Sequence, residues 1–192
     1  KNNINKEVIA DKACNIEIVK LKDPIGKQDQ YISSYGGLRH IIFKKNKVLV
    51  KNLNIKKNIL KKFENSISLI NTGHFRSARQ ILKKQSKKAK KNMYIYDQIN
   101  SLVPKFLKSL KDGNLKLCGK ILSKNWELKK SLDKNVYLNH FKKIEKQLDA
   151  LSVYGYKLLG AGSGGYYCVI SSNKTKKKLQ KLFGNNFVSM NF

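Results

Sequence analysis

The segment whose residue types point most clearly to binding or catalysis is a run of small residues between two apolar stretches. It consists of Gly160, Ala161, Gly162, Ser163, Gly164 and Gly165. Glycine lets backbone N–H groups approach an anionic oxygen closely, so such a loop could bind a phosphate. It is not a dinucleotide-binding loop, because a strand-like run follows it and Asn185, not an acid, stands 20 positions on. The sequence also lacks the Gly-Lys-Ser/Thr of a P-loop, so a glycine-rich hairpin turn is the alternative.

A second candidate is Asp29, one of only 12 acidic residues in the chain. It lies within Pro-Ile-Gly-Lys-Gln-Asp-Gln-Tyr (24–31), where a predicted loop meets a predicted helix. A carboxylate there could act as a general base. It could equally cap the helix, which is the commoner role of aspartate at a helix start. Residue type and position leave both interpretations open.

A third candidate is the segment Asn-Thr-Gly-His-Phe-Arg-Ser-Ala (71–78), which lies between a predicted strand and a predicted helix. A helix N-terminus with an arginine nearby, here Arg76, is a favourable place for a phosphate. The alternative is a capped strand-to-helix connection without any ligand.

Periodicity predicts the elements that position these segments. Apolar residues at helical spacing predict helices over 4–21, 28–35, 55–64, 75–91, 94–111, 114–131, 136–151 and 174–183. Alternating or continuous apolar runs predict strands at 38–43, 48–53, 66–71, 156–159, 166–171 and 187–192. This order predicts an α+β fold in which an antiparallel sheet is backed by helices.

The charge of the chain suggests an anionic partner without identifying one. The formal net charge is +29, from 41 basic and 12 acidic residues, but only three of the basic residues are arginine. Nucleic-acid readers usually depend on arginine for bidentate contacts, and the Lys, Asn and Ile richness is typical of AT-rich codons. The lysine run at 83–91 is interpreted as the polar face and frayed end of a helix, and a polyanion-binding patch is the alternative. A field this positive would still attract nucleotides and sugar phosphates.

Several classes of protein are excluded by what the sequence lacks. No apolar run reaches the roughly 18 residues of a membrane span, and no signal peptide is visible. The three cysteines and three histidines are too scattered for a disulfide framework or a metal site, so no metal ligands are predicted. These features fit a reducing cytoplasm.

Together, the three segments resemble the GHMP kinase superfamily, and within it most the D-glycero-D-manno-heptose 7-phosphate kinases. The family-like stretches are the Asp29 segment followed by Tyr-Gly-Gly (35–37), and Thr-Gly-x-x-Arg-x-Ala (72–78). Two more are Trp-x-Leu-Lys-Lys-x-Leu (126–132) and Lys-Leu-Leu-Gly-Ala-Gly-x-Gly-Gly (157–165). The resemblance covers nearly all of the chain, and Ser163 is a departure, since many relatives have glycine there.

The resemblance implies roles for individual residues. Asp29 would be the catalytic base, or would orient the anomeric hydroxyl of the sugar. Lys27, Gln28 and Arg76 would bind the substrate, and the loop 160–165 would lie near the nucleotide and the phosphoryl group in transfer. The implied cosubstrate is ATP and the implied metal is Mg²⁺.

The resemblance also implies that the N-terminal domain is truncated. The superfamily's nucleotide-binding motif, Pro-x-x-x-Gly-Leu-Gly-Ser-Ser, does not occur in the chain and is expected before Lys1. We therefore expect residues 1–64 to be a remnant of the N-terminal domain, 65–192 to be the C-terminal domain, and the chain to be inactive by itself.

The predicted function is accordingly part of an ATP-dependent kinase that phosphorylates the anomeric hydroxyl of a heptose 7-phosphate. One alternative is another GHMP sugar-1-kinase with a galactose-like or fucose-like acceptor. Others are a basic nucleic-acid-binding module and an inactive regulatory or split subunit. The expected partners are a sugar phosphate and ATP, no membrane or nucleic acid is expected, and the oligomeric state stays open.

Overall fold

The computed structural model describes residues 5–74, 82, 90–132, 139–160 and 164–190. The chain divides into two units, Lys1–Asn54 and Ile55–Phe192. This division comes ten residues before the predicted boundary at 64/65, because the helix that spans 57–66 packs within the second unit, where Phe63 meets Phe106 edge-on at 6.2 Å. That the two units correspond to the two domains of the family stays a prediction.

The first unit is a pair of helices with a two-stranded hairpin. Helix α1 (Lys6–Cys14) is capped by Asn5, whose Oδ1 accepts from the backbone N–H groups of Glu7 and Val8, and it continues as a π-helix over Asn15–Lys20. Helix α2 (Gln28–Tyr35) is followed by the antiparallel strands β1 (Arg39–Phe43) and β2 (Val48–Asn52). Buried Ala10, Cys14 and Tyr31 form the small core of this unit.

The second unit is a four-stranded sheet with helices. In chain order its elements are α3 (Lys57–Ser66), β3 (Ile67–Asn71), α4 (Met93–Lys111), α5 (Leu115–Leu132), α6 (Asn139–Ala150), β4 (Gly155–Leu158), β5 (Tyr166–Ile170), α7 (Asn173–Phe183), a 3₁₀ turn (Gly184–Asn186) and β6 (Phe187–Ser189). The sheet order is β4-β5-β3-β6, and every pairing is antiparallel. The predicted α+β fold class is confirmed.

The two faces of this sheet differ in what covers them. One face carries Tyr156, Leu158, Tyr167, Val169 and Ile70, and it packs on Trp126, Phe141, Leu148 and Leu179 from the helices. Successive side chains of a strand point to opposite faces. Leu69, Lys157 and Cys168, which are in register across the sheet, therefore share the other face, where each is half-buried.

Helix α5 lies against the β4 edge of the sheet at very close range. A Cβ added at Gly155 would overlap the carbonyl oxygen of Gly119, so both positions need glycine. Ser123 Oγ accepts from the Tyr156 N–H at 3.0 Å, which satisfies an edge group that no strand pairs. This close fit fixes the C-terminal half of α5 beside the end of β4, where the glycine loop begins.

Most predicted elements are observed within a few residues of their expected bounds. Helix α4 begins one residue before the predicted helix 94–111, and helix α5 is displaced by one residue from 114–131. Of the predicted helix 75–91, all but residues 82, 90 and 91 lie outside the described residues. Within the described ranges, none of the helices has both the length and the apolar character that crossing a membrane requires.

Candidate functional site

The structure places the predicted site residues in both units. Asp29, Lys27 and Gln28 lie in the first unit, whereas Gly160, Gly164 and Gly165 lie in the second. The remaining predicted site residues lie outside the described residues: Arg76, Ala161, Gly162 and Ser163.

Asp29 lies exposed in the first turn of α2. The N-cap position belongs to Lys27, so Asp29 is not the helix cap that its residue type allowed. Its carboxylate lines a recess of about 460 Å³ together with Glu17 and Ser33. The neighbouring Gln30 is buried, and its Nε2 donates to Glu17 Oε2 at 2.8 Å, which ties α2 to the π-helix. Asp29 is therefore a solvent-accessible carboxylate on an anchored helix.

Lys27 and Gln28 line a different recess, of about 680 Å³, with Tyr31 and the turn 44–47. In this recess the Tyr31 hydroxyl donates to Asp11 Oδ1 at 2.6 Å. Burial is the main cause that raises the pKa of Tyr31, and this hydrogen bond adds to it. Helical geometry explains the separation, because positions 28 and 31 share one face of α2 whereas positions 29 and 33 share another. Lys27 and Gln28 thus line the same recess, and Asp29 lines the neighbouring one.

The glycine loop is tied to the segment that follows β3. The Thr72 N–H and hydroxyl both donate to the Gly165 carbonyl at 2.9 Å, and the Gly165 N–H donates to the His74 carbonyl at 2.9 Å. Gly160 and Gly165 have φ values of 71° and 98°, which favour glycine. The structure therefore brings two of the three sequence segments, 71–78 and 160–165, into direct contact.

Lys129 on α5 also lies at the glycine loop, although the sequence analysis assigned it no role. Its Nζ donates to the carbonyl of Gly160, at the start of the glycine loop. Burial, reinforced by the positive charge of Lys157, lowers the pKa of Lys129 from 10.5 to about 8. Burial also lowers the pKa of Lys157, which is the cross-strand neighbour of Cys168. The only sequence signal for Lys129 was its place in the Trp-x-Leu-Lys-Lys segment.

A buried carboxylate holds α5 against the core beside this cluster. Glu145 Oε1 accepts from Trp126 Nε1 at 2.6 Å and from the Tyr167 hydroxyl at 2.8 Å. Its Oε2 pairs with Lys130 Nζ at 3.3 Å. Because Glu145 lies on α6 and its partners lie on α5 and β5, the network fixes the helix that presents Lys129. Sequence reasoning missed Glu145, since nothing local marks a glutamate as buried.

The described part of this site carries positive charge from lysine and no described metal cluster. Ammonium groups such as that of Lys129 can donate to anionic oxygens, whereas the Gly165 N–H is already used by the His74 carbonyl. Among the residues that the structure describes, no cluster of three or more His, Cys, Asp or Glu side chains is arranged to hold a metal ion.

Comparison with known proteins identifies the family. Residues 106–186 match the family described as "GHMP kinases C terminal". This chain contains a GHMP kinase C-terminal domain. The family resemblance of the sequence is thereby confirmed, and the match spans α5, α6, the glycine loop and the strands on either side of it.

A related sequence extends the GHMP kinase match toward the N-terminus. A D-glycero-alpha-D-manno-heptose 7-phosphate kinase of Campylobacter jejuni is 31% identical over 163 residues, which are 82% of this chain and 48% of that protein. The chain thus spans about half the length of this relative.

Solved structures show that the GHMP kinase fold covers the whole chain. A D-glycero-D-manno-heptose 1-phosphate kinase from Bacteroides thetaiotaomicron matches 99% of the chain with a TM-score of 0.64 at 20% identity, over 53% of its own length. The Methanococcus jannaschii mevalonate kinase matches 100% with a TM-score of 0.71 at 22% identity, over 58% of its length. Lactococcus lactis galactokinase, solved with galactose, matches 99% with a TM-score of 0.71 at 14% identity, over 60% of its length.

Proposed function

We propose that this chain contributes the acceptor side of the active site in a kinase that transfers the γ-phosphate of ATP to the anomeric hydroxyl of a heptose 7-phosphate. The observation that carries the proposal is the 31% identity to the Campylobacter jejuni heptose 7-phosphate kinase over 163 residues. The contact between Thr72 and Gly165 supports it, because two of the family-like segments meet there.

In the proposed reaction the anomeric oxygen attacks the γ-phosphorus of ATP. The new O–P bond forms as the bond from the γ-phosphorus to the β,γ-bridging oxygen breaks, and ADP leaves. Asp29 accepts the proton of the hydroxyl, or orients that hydroxyl for attack. The exposed position of the carboxylate on an anchored helix supports this role. Lys27, Gln28 and Arg76 bind the sugar substrate.

The glycine loop stabilises the phosphoryl group through backbone N–H donors. Mg²⁺ bound with the nucleotide neutralises the negative charge that develops on the phosphates. Because ATP and the sugar phosphate are both intracellular metabolites, the proposed place of action is the cytoplasm.

The test is ADP release by the complete gene product with ATP, Mg²⁺ and a panel of sugars. We expect turnover with heptose 7-phosphate and little with free heptose, galactose or fucose. Turnover with a free hexose instead would keep the kinase chemistry and move the acceptor to another GHMP sugar-1-kinase class. Absence of turnover with every sugar, combined with salt-dependent DNA binding, would overturn the proposal in favour of a nucleic-acid-binding module.

The role of Asp29 is tested by Asp29→Asn, which keeps the shape of the side chain and removes the base. We expect kcat to fall by about 10²-fold to 10⁴-fold, the usual contribution of a general base, with a much smaller change in sugar affinity. The matched control is Asp97→Asn, at an exposed position on α4, which should leave kcat within about twofold. Near-normal kcat in Asp29→Asn would remove Asp29 from the mechanism.

A further inference from the structure

The recess of about 680 Å³ in the first unit is lined by charged groups that come from different elements. Its volume lies within the roughly 300–1,000 Å³ that is usual for small-molecule sites. The carboxylates of Glu7 and Asp11 come from α1, where positions four apart share a face. The cations are one lysine at the start of α2 and three lysines of the turn between β1 and β2: Lys27, Lys44, Lys45 and Lys47. The recess therefore takes its negative groups from one helix and its positive groups from the turn and the start of α2.

Packing within the first unit fixes the position of this turn. The chain reverses after α2, so that Phe43 at the end of β1 meets Tyr31 in the first half of α2, with the two rings edge-on at 6.1 Å. The Tyr31 hydroxyl in turn donates to Asp11 Oδ1, which joins α2 to α1. The Lys44 N–H donates to the Lys47 carbonyl at 2.9 Å and closes the turn. The lysines of the turn thus extend from a backbone that is held beside the start of α2.

Positive charge is in excess in this recess. Four lysines and two carboxylates line it, and one of the carboxylates, that of Asp11, already accepts the Tyr31 hydroxyl. Among the described residues, none of these four lysines forms an ion pair. An excess of two positive charges matches the charge of about −1.5 to −2 that a phosphate monoester carries at neutral pH.

We propose that this recess binds the phosphate that the acceptor sugar already carries, and that Lys44, Lys45 and Lys47 select a phosphorylated sugar over a free one. The recess and its charges belong to the first unit alone, whereas the choice of a sugar phosphate as ligand rests on the proposed function. Ammonium groups donate charge-assisted hydrogen bonds to phosphate oxygens. The carboxylates of Glu7 and Asp11 are acceptors for the hydroxyl groups of the same sugar.

The place of this recess beside that of Asp29 suits a substrate with two functional ends. The consecutive residues Gln28 and Asp29 line one recess each. In a heptose 7-phosphate the anomeric oxygen and the phosphate are at opposite ends of the carbon chain. A base in one recess and a lysine cluster in the adjacent recess therefore engage the two ends of one molecule. A phosphate held away from the reacting oxygen is bound equally in the ground state and the transition state, so its loss raises KM and leaves kcat unchanged.

The experiment is isothermal titration calorimetry of the complete gene product with heptose 7-phosphate, free heptose and ATP, each titrated alone. The test variant combines Lys44→Gln, Lys45→Gln and Lys47→Gln, which keep polar side chains on an exposed turn. We expect its dissociation constant for heptose 7-phosphate to rise about tenfold or more, because hydrogen bonds to a charged group are lost. Its affinities for free heptose and for ATP should change less than about twofold. In steady-state assays KM for heptose 7-phosphate should rise by the same factor, with kcat within about twofold of wild type.

Nonspecific attraction to a chain of net charge +29 is controlled by a second triple variant that removes the same charge. It combines Lys12→Gln, Lys20→Gln and Lys51→Gln, at exposed positions of the same unit that do not line the recess. We expect this control to change the affinity for heptose 7-phosphate by less than about twofold. Circular dichroism of both variants verifies folding.

Wild-type affinity of the turn variant for heptose 7-phosphate would overturn the proposed site, as would an equal loss in the control variant or an equal loss of affinity for free heptose. Loss of affinity for ATP in place of the sugar phosphate would assign the lysines to the nucleotide and would also overturn it, as would failure of the wild-type protein to bind heptose 7-phosphate. Failure of the proposed function is measured separately, as absence of ADP release. A protein that binds heptose 7-phosphate through the turn without releasing ADP would keep the site and reject only the kinase reaction.

Discussion

Replacing Lys129 by methionine should stabilise the folded chain at neutral pH, even though it removes a hydrogen bond. Burial and the charge of Lys157 lower the pKa of Lys129 from 10.5 to about 8, so folding works against the charged form of this side chain. Methionine keeps most of the aliphatic length and removes the charge. Replacement of buried charged groups by apolar groups of similar volume is often neutral or stabilising.

The magnitude follows from the pKa difference. A fall from 10.5 to about 8 is roughly 2.5 pH units, which corresponds to about 3 kcal/mol at 1.36 kcal/mol per unit. The variant loses the hydrogen bond to the Gly160 carbonyl, which contributes about 1 kcal/mol net. The expected gain in unfolding free energy at pH 7 is therefore about 2 kcal/mol, or about 4–8 °C in Tm for a chain of this size.

The gain must depend on pH in a defined direction. Below pH 8 Lys129 is protonated in both the folded and the unfolded state, so the wild-type chain carries the full penalty. Between pH 8 and 10.5 the folded state loses the proton while the unfolded state keeps it, and wild-type stability rises relative to the variant. The difference between the two proteins should thus shrink from pH 7 to pH 10.

The assay is urea unfolding followed by tryptophan fluorescence, since the single tryptophan, Trp126, is fully buried in the core of the second unit. Phosphate-free buffers are used, so that no anion that binds the lysine side chain stabilises the wild-type chain selectively. Lys124→Met, on an exposed face of the same helix, should change stability by less than about 0.5 kcal/mol. A Lys129→Met variant that is less stable than wild type at pH 7, or a difference that is the same at pH 7 and pH 10, would refute this reasoning.

Two further substitutions test how α5 is held. Glu145→Gln removes the charge from the network of buried hydrogen bonds and should lower the free energy of unfolding by about 2 kcal/mol in urea titrations. The control, Glu127→Gln, changes a side chain that is 60% exposed and should lower it by less than about 0.5 kcal/mol. Equal effects would mean that burial of Glu145 does not strengthen its contacts. Gly155→Ala places a Cβ against the backbone of α5 and should lower the free energy of unfolding by about 3 kcal/mol or more in thermal unfolding. Gly26→Ala, with open space around it, is the control and should be nearly neutral. A tolerated Gly155→Ala would contradict the close helix–strand fit.

Some of the site could be predicted because its signals are local. The glycine loop was recognisable from consecutive residue types, and both of its neighbouring strands formed where apolar runs predicted them. The Asp29 segment was recognisable from a rare acid at a helix start. Helical periodicity also placed α2 correctly, but the segment alone did not show that Asp29 and Gln28 open on different recesses.

Other features depended on residues far apart in the chain. Lys129 meets the carbonyl of Gly160, 31 positions away, and Glu145 receives hydrogen bonds from residues 19 and 22 positions away. In the sequence Lys129 and Lys130 are consecutive lysines that nothing local distinguishes. Only packing places Lys130 beside Glu145 and Lys129 beside the carbonyl of Gly160.

The sequence by itself determined the class of fold, the order of the elements and the segments in which chemistry was expected, because apolar periodicity and glycine placement act over a few residues. The tertiary structure decided which of many lysines has a perturbed pKa and which glutamate is buried. Desolvation and the charge of spatial neighbours set these properties, and both arise only when distant segments pack together. In a chain with 41 basic residues, composition suggested an anionic partner, whereas only the fold distinguishes Lys129, whose pKa is lowered by burial, from the exposed lysines.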